Sequence, residues 1–187
     1  GIKYIVPAVL IAFGFGLPDA EAGGRRVAFV IGNSGYQSVP SLPNPKNDAA
    51  AVAAALKKSG FEVVSAIDLD RVGFDQACEK FVRSLGGADM SVFYYSGHGI
   101  QVGGDNRIIP TDAQLKSAAD LEVETVSVKT IMSYMKSNSK LQLVFLDSCR
   151  NNPFPASSFL VGPEKQMLVA GVGLAAKDST VGGMGGL

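Results

Sequence analysis

Apolar residues along this chain fall into two alternating patterns, short unbroken runs and sets spaced at helical intervals. Residues 26–31 (RVAFVI) are β-branched and apolar at both even and odd positions, which predicts a first strand buried on both faces at the centre of a parallel sheet. Residues 61–67 (FEVVSAI), 90–95 (MSVFYY) and 141–146 (LQLVFL) predict three more strands, the last of them also buried. Between them lie helical patterns. An alanine-rich helix runs to Lys58 with Asp48 as its N-cap and Gly60 closing it. A second covers residues 74–85, with Phe74, Ala77, Cys78, Phe81, Val82 and Leu85 on one face and Gly86-Gly87 after it. A third spans about residues 126–136 and leads through Ser137-Asn138-Ser139 into the fourth strand. Residues 100–109 carry Gly103-Gly104-Asp105-Asn106 between apolar flanks and predict a hairpin projecting from the main sheet. Strand, helix, strand in succession implies crossovers and a mostly parallel sheet covered on both faces, an α/β sandwich.

The chain has 187 residues, 47% of them hydrophobic, enough to bury the core of one globular domain. Lysine plus arginine and aspartate plus glutamate each number 17, so no net charge favours nucleic acid or an anionic membrane surface. Residues 1–22 contain Lys3, an apolar stretch from Tyr4 to Leu17 and Ala20-Glu21-Ala22, the layout of a signal peptide cleaved after Ala22. This predicts a secreted or periplasmic protein, with retention as an N-terminal membrane anchor the alternative. Two cysteines exclude a disulfide-stapled miniprotein, and the helical face around Cys78 marks that one as a small core residue. Past Cys149 the pattern loosens. Residues 151–164 form a proline-rich loop, residues 167–172 at most a short strand, and the glycine-rich end is expected to be mobile. Gly171 to Ala176 loosely matches a dinucleotide fingerprint but lacks the helix, strand and acidic residue that must follow, so a flexible loop is the better reading.

In parallel sheets functional groups gather beyond the carboxyl ends of the strands. The third strand runs into Ser96-Gly97-His98-Gly99, with the chain's single histidine, and the fourth into Asp147-Ser148-Cys149-Arg150. A thiol titrates near pH 8.5 and attacks as the thiolate, so an adjacent imidazole is the natural base and proton donor. Gly97 and Gly99 leave room for a substrate backbone, and the amides of Gly99 and Cys149 are placed to hold a developing oxyanion. Taken singly, a histidine at a turn and a cysteine after an apolar strand are commonly structural. Their pairing at two strand ends carries the catalytic reading.

The segments Tyr95-Ser96-Gly97-His98-Gly99, Asp147-Ser148-Cys149-Arg150-Asn151-Asn152-Pro153 and Asn47-Asp48-Ala49 resemble the motifs of metacaspases and their bacterial relatives, the orthocaspases, over about residues 26–154. Cys149 follows His98 by 51 positions, similar to the roughly 50 of caspases. The resemblance implies a caspase-like three-layer α/β/α sandwich with strand order 2-1-3-4 and a catalytic domain over residues 25–155. Residues 156–187 would then be a linker and the truncated start of a small subunit, whose further strands are absent and whose loss would expose a sheet edge. It also implies a His98–Cys149 cysteine endopeptidase cleaving after arginine or lysine. Asp48, Ser96 and Asp147 would line the pocket for that side chain, and Lys165 and Lys177 would be sites of self-processing. Asp48 as a plain helix cap, and Asp147 as a structural partner of Arg150 or Arg107, are the competing readings. Animal caspases usually carry alanine where Ser148 stands. Many metacaspases need calcium, yet Asp105, Asp112 and Asp120 are scattered and no compact acidic loop occurs, so no metal or cofactor is expected. A caspase-like module that binds partners without catalysis is the alternative function.

Overall fold

The computed structural model describes residues 24–148 together with Pro153 and Phe154. The expected signal segment, Cys149, and the stretch holding Lys165 and Lys177 lie outside the described residues. The elements run β1 (Arg26–Gly32), α1 (Pro45–Lys58), β2 (Glu62–Ile67), α2 (Arg71–Ser84), β3 (Ala88–Ser96), β4 (Gly99–Val102), β5 (Asp105–Ile108), α3 (Asp120–Glu124), β6 (Val126–Ser127), α4 (Val128–Asn138) and β7 (Ser139–Asp147).

Four strands form one parallel sheet in the order β2-β1-β3-β7, the expected 2-1-3-4 arrangement with β7 as the fourth strand. Val27 to Ile31 are wholly buried because β1 is central and both its faces are covered. On one face Phe74 and Phe81 from α2, Leu85 just after it, and Val128, Ile131 and Met135 from α4 pack on Phe29, Phe93 and Tyr95. On the other, Ala49 and Ala53 of α1 pack on Ala28, Val30 and Val92. Helix α1 is alanine-rich because it lies close to the sheet: a methyl group on Gly32 would fall 2.4 Å from the Pro45 carbonyl oxygen. The sandwich therefore has three layers.

The structure corrects several boundaries. Asp48 is not the cap of α1. The cap is Asn44, four residues earlier, because Pro45, with its fixed φ and missing N–H, suits the first helical position, and Asp48 lies in the first turn. Val126 and Ser127 do not open α4; they pair antiparallel with Ile108 and Arg107, which adds a third strand to the predicted hairpin in the order β4-β5-β6. Ser139, expected as linker, opens β7, and the short α3 gave no periodic signal. Strand β7 is less buried than its apolar sequence suggests. It pairs only with β3 among the described residues, and Leu141 is 38% exposed. Cys78 is half-buried beside the core, at a groove of about 460 Å³ between α2 and α4. Burial pushes its thiol up to about 11.

The aromatic centre of the larger core is Phe29, stacked on Phe81 at 4.9 Å between ring centroids and within 6.0 Å of Phe74 and 5.5 Å of Phe93. Phe29→Ala is expected to cost about 3–5 kcal/mol of unfolding free energy, measured by urea denaturation.

Candidate active site

One transverse row of the sheet sets the site. Gly32 pairs with Ser96, and Ser96 with Asp147, so β1, β3 and β7 end at the same level and Asn33, Gly97 and Ser148 follow side by side. The loop after β1 is tied down at both ends. Asn33, wholly buried, accepts from the Leu69 amide through Oδ1 at 3.0 Å and donates through Nδ2 to the Ile109 carbonyl at 3.3 Å. Asp68 accepts from the Ser34 and Gly35 amides at 2.7 and 2.9 Å and pairs with Lys46 at 2.6 Å. Partial burial on its own would raise the Asp68 carboxyl, but Lys46 and the two amides outweigh it and hold the carboxyl below its ordinary range.

That loop delivers Tyr36 and Pro40 to His98. The His98 amide donates to the Tyr36 hydroxyl oxygen at 2.7 Å, and the Tyr95 hydroxyl donates to the His98 carbonyl, also at 2.7 Å. The two phenol oxygens are 3.2 Å apart. Because Tyr95 gives its hydrogen to a carbonyl, which only accepts, Tyr36 is the donor between them. A closed ring of hydrogen bonds thus runs from the His98 N–H through both tyrosines back to the His98 carbonyl, which also accepts from the Ile109 amide at 3.2 Å. Burial pushes Tyr36 up to about 12 and Tyr95 well above its ordinary value, so both phenols stay protonated through neutral pH. Gly97, at φ +155°, leaves the room this ring needs; a methyl group there would lie 2.5 Å from the Tyr95 hydroxyl and 2.6 Å from that of Tyr36.

The imidazole is oriented separately. Nε2 lies 2.9 Å from the Pro40 carbonyl oxygen, so it carries the proton and Nδ1 is left as the basic nitrogen in the neutral ring. Tyr36 lies against the ring at 4.6 Å between centroids, and His98 is only 9% exposed. Gly99 opens β4 directly after it. A methyl group on Gly99 would be 3.1 Å from Ser148 Oγ, so the residue after the histidine and the residue before Cys149 are near neighbours. Phe154, on the far side of residues 149–152, is buried in a cluster with Tyr36, Ile100, Ile109 and Leu115. Both described flanks of the cysteine segment therefore converge on His98, while Cys149 itself is not described.

The three expected pocket residues share the α1 side of the sheet. Tyr94 packs with α1 and Ser96 follows it two positions on, hence on the same face. Burial and then the charge of Asp147 raise the Tyr94 phenol; a hydrogen bond from Ser96 opposes this and the Asp48 charge adds to it. One phenol thus senses both carboxylates. Ser96 is buried, Asp48 half-buried and Asp147 exposed. Arg107 is not the partner of Asp147: its guanidinium pairs with Glu122 at 2.9 Å and Asp105 at 3.4 Å. Asp112 accepts from the Arg71 amide and Asp120 from the Ser117 amide, and no group of three or more metal-ligating side chains occurs among the described residues.

Residues 25–182 match the caspase domain family. The chain belongs to that family. It is similar to the human mucosa-associated lymphoid tissue lymphoma translocation protein 1, 29% identical over 71% of the chain and 16% of that protein. It is also similar to a paracaspase of Dictyostelium discoideum, 28% identical over 80% of the chain and 41% of that protein. The chain thus spans less than half the length of either relative. A crystal structure of a Geobacter sulfurreducens protein shares the fold, with a TM-score of 0.54 and 22% identity over 68% of this chain and 52% of that one. The expected membership of the caspase-like family therefore holds, and with it a family of cysteine peptidases that act on protein substrates. Tyr36, Pro40, Tyr94 and Phe154 have no role in the sequence reading. Pro40 acts through its backbone carbonyl, and the others lie at positions whose neighbours only the fold supplies.

Two outcomes are expected. Tyr36→Phe keeps the ring against the imidazole but orphans the His98 amide, and should lower the melting temperature by about 4–8 °C in a thermal scan. The stability that Asp68 contributes is complete above the ordinary aspartate value of 3.8 and is lost as the pH falls below it through the lowered native value. Equilibrium unfolding of Asp68→Asn between pH 7 and pH 2 should therefore show a shallower acid loss than the parent.

Proposed function

We propose that this chain is an endopeptidase that cleaves after arginine or lysine, with Cys149 as nucleophile and His98 as general base. The observation that carries the reading is the proximity of Gly99 and Ser148, the immediate neighbours of the two residues, beside an imidazole whose free nitrogen is set by Pro40. In the proposed cycle Nδ1 takes the Cys149 proton and the sulfur bonds to the scissile carbonyl carbon. The carbonyl electrons move onto an oxygen held by the amides of Gly99 and Cys149. Collapse expels the amine, which takes its proton from the imidazolium, and leaves a thioester. Water, deprotonated by His98, then releases the acid and restores the thiol. The Pro40 carbonyl holds Nε2–H through both halves and steadies the imidazolium between them.

Specificity is assigned to Asp48, Ser96 and Asp147. Their shared face supports this, as does the response of Tyr94 to both carboxylates. A guanidinium or ammonium at about 4 Å from a carboxylate gains on the order of 4 kcal/mol at an effective dielectric near 20, before desolvation, and an acidic side chain is repelled by as much. Arginyl and lysyl peptides should be cleaved, and aspartyl peptides not. His98→Ala should lower kcat by at least about 100-fold and Asp147→Asn should lower kcat/KM by about 10- to 100-fold. Efficient cleavage after aspartate would remove the pocket assignment. Cys149 alkylation no faster than that of a free thiol, and unchanged in His98→Ala, would favour a non-catalytic binding module.

Self-cleavage after Lys165 or Lys177 follows from the same specificity. Intact mass measurement should show shortened products for the parent chain and none for Cys149→Ala; identical ends in both would exclude self-processing.

A further inference from the structure

Asn106 Oδ1 is a buried side-chain oxygen with no hydrogen-bond partner among the described residues. It sits on β5, and it shares a cavity of about 10 Å³ with Tyr95, Gly99, Ile100, Leu146 and Ser148. A pocket of this size admits about one water, enough to bridge polar groups that line it. Ser148 supplies the complementary group. Its hydroxyl is a donor that can rotate, and it makes no bond to any other described residue. Its Oγ already lies against the β4–β5 pair, since a methyl group on Gly99 would meet Ser148 Oγ at 3.1 Å and the Arg107 carbonyl at 3.3 Å. An acceptor and a donor without partners among the described residues therefore line the same small pocket, next to Cys149 in sequence and next to Gly99 in space.

We propose that Ser148 donates to Asn106 Oδ1, directly or through one bridging water, and that this bond positions the nucleophile's strand against the hairpin that carries Gly99. In this role both act through the strand and the hairpin, as positioning residues. The reason is geometric. Strand β7 has no partner on its outer side among the described residues, so its end is held in place by β3 and by whatever it meets on the hairpin side. A hydrogen bond from the residue before the nucleophile sets the distance from that residue to the oxyanion-binding amide. Alanine at position 148, usual in animal caspases, makes no such bond.

The proposal rests on the proteolytic reading for its catalytic consequence and not for the bond itself, so the test has two arms. A double-mutant cycle of Ser148→Ala, Asn106→Leu and the double variant is read by urea unfolding and by kcat and KM on an arginyl peptide. Asn106→Ala replaces Asn106→Leu if leucine prevents folding. Each single change is expected to lower kcat about three- to tenfold with KM unchanged, and the double to fall no further than the worse single. The unfolding midpoints should be non-additive in the same way. Additive midpoints, or single variants that unfold and turn over like the parent, overturn the proposal. A parent chain with no peptidase activity overturns the proteolytic reading instead, and the unfolding arm still decides the bond.

Discussion

The parallel register that aligns Gly32, Ser96 and Asp147 in one row is the constraint on which the site depends. Three neighbouring strands that stop at the same level bring Asn33, Gly97 and Ser148, the residues that follow them, side by side. Beyond the first two lie Tyr36, Pro40 and His98, and Ser148 is the last described residue before Cys149. Backbone hydrogen bonds between β1, β3 and β7 set their spacing. Burial of the Phe29 cluster on one face and of the α1 alanines on the other holds that register, since a slip of one residue would turn each apolar side chain to the wrong side.

The alternation of side chains then divides the chemistry. Tyr94 and Ser96 point with α1 toward Asp48 and Asp147, while Tyr95 points the other way and reaches the His98 carbonyl. The proposed recognition of a cationic side chain and the clamping of the imidazole thus use opposite faces of the same strand. The two groups of polar residues are kept apart by the sheet itself, so the carboxylates can be exposed while the tyrosines stay dry. Burial keeps those phenols neutral, and neutral hydroxyls can close a hydrogen-bonded ring where charged groups would repel.

The segment around His98 also shows how buried backbone groups are satisfied outside regular structure. Its amide and carbonyl have no ladder partners on the main sheet; Tyr36, Tyr95 and the Ile109 amide supply them. Gly97 is required because its left-handed φ and missing side chain admit both phenol oxygens. Asn33 and Asp68 do the same for the loop after β1, so the acceptor for the imidazole sits on a loop held at its base by side-chain bonds.

Apolar runs and helical spacing were enough to read the four parallel strands, the two longer crossover helices and the projecting hairpin. Each rests on local periodicity, which is a property of neighbouring residues. The position of His98 after β3 was legible for the same reason, and the motif resemblance identified the caspase-like family. Boundaries set by competition between elements were not legible. Val126 and Ser127 continue a helical pattern but pair with β5, and Asp48 suits a cap that Pro45 displaces. Partnerships across long separations also needed the fold: Pro40 with the His98 ring, Tyr36 with Tyr95, and Ser148 with the hairpin lie tens of residues apart. Sequence determines which side chains exist and which way each local segment faces. Only the packing of those segments brings distant groups within hydrogen-bonding reach, because that distance is set by strand register and burial and is not written in any one stretch of chain.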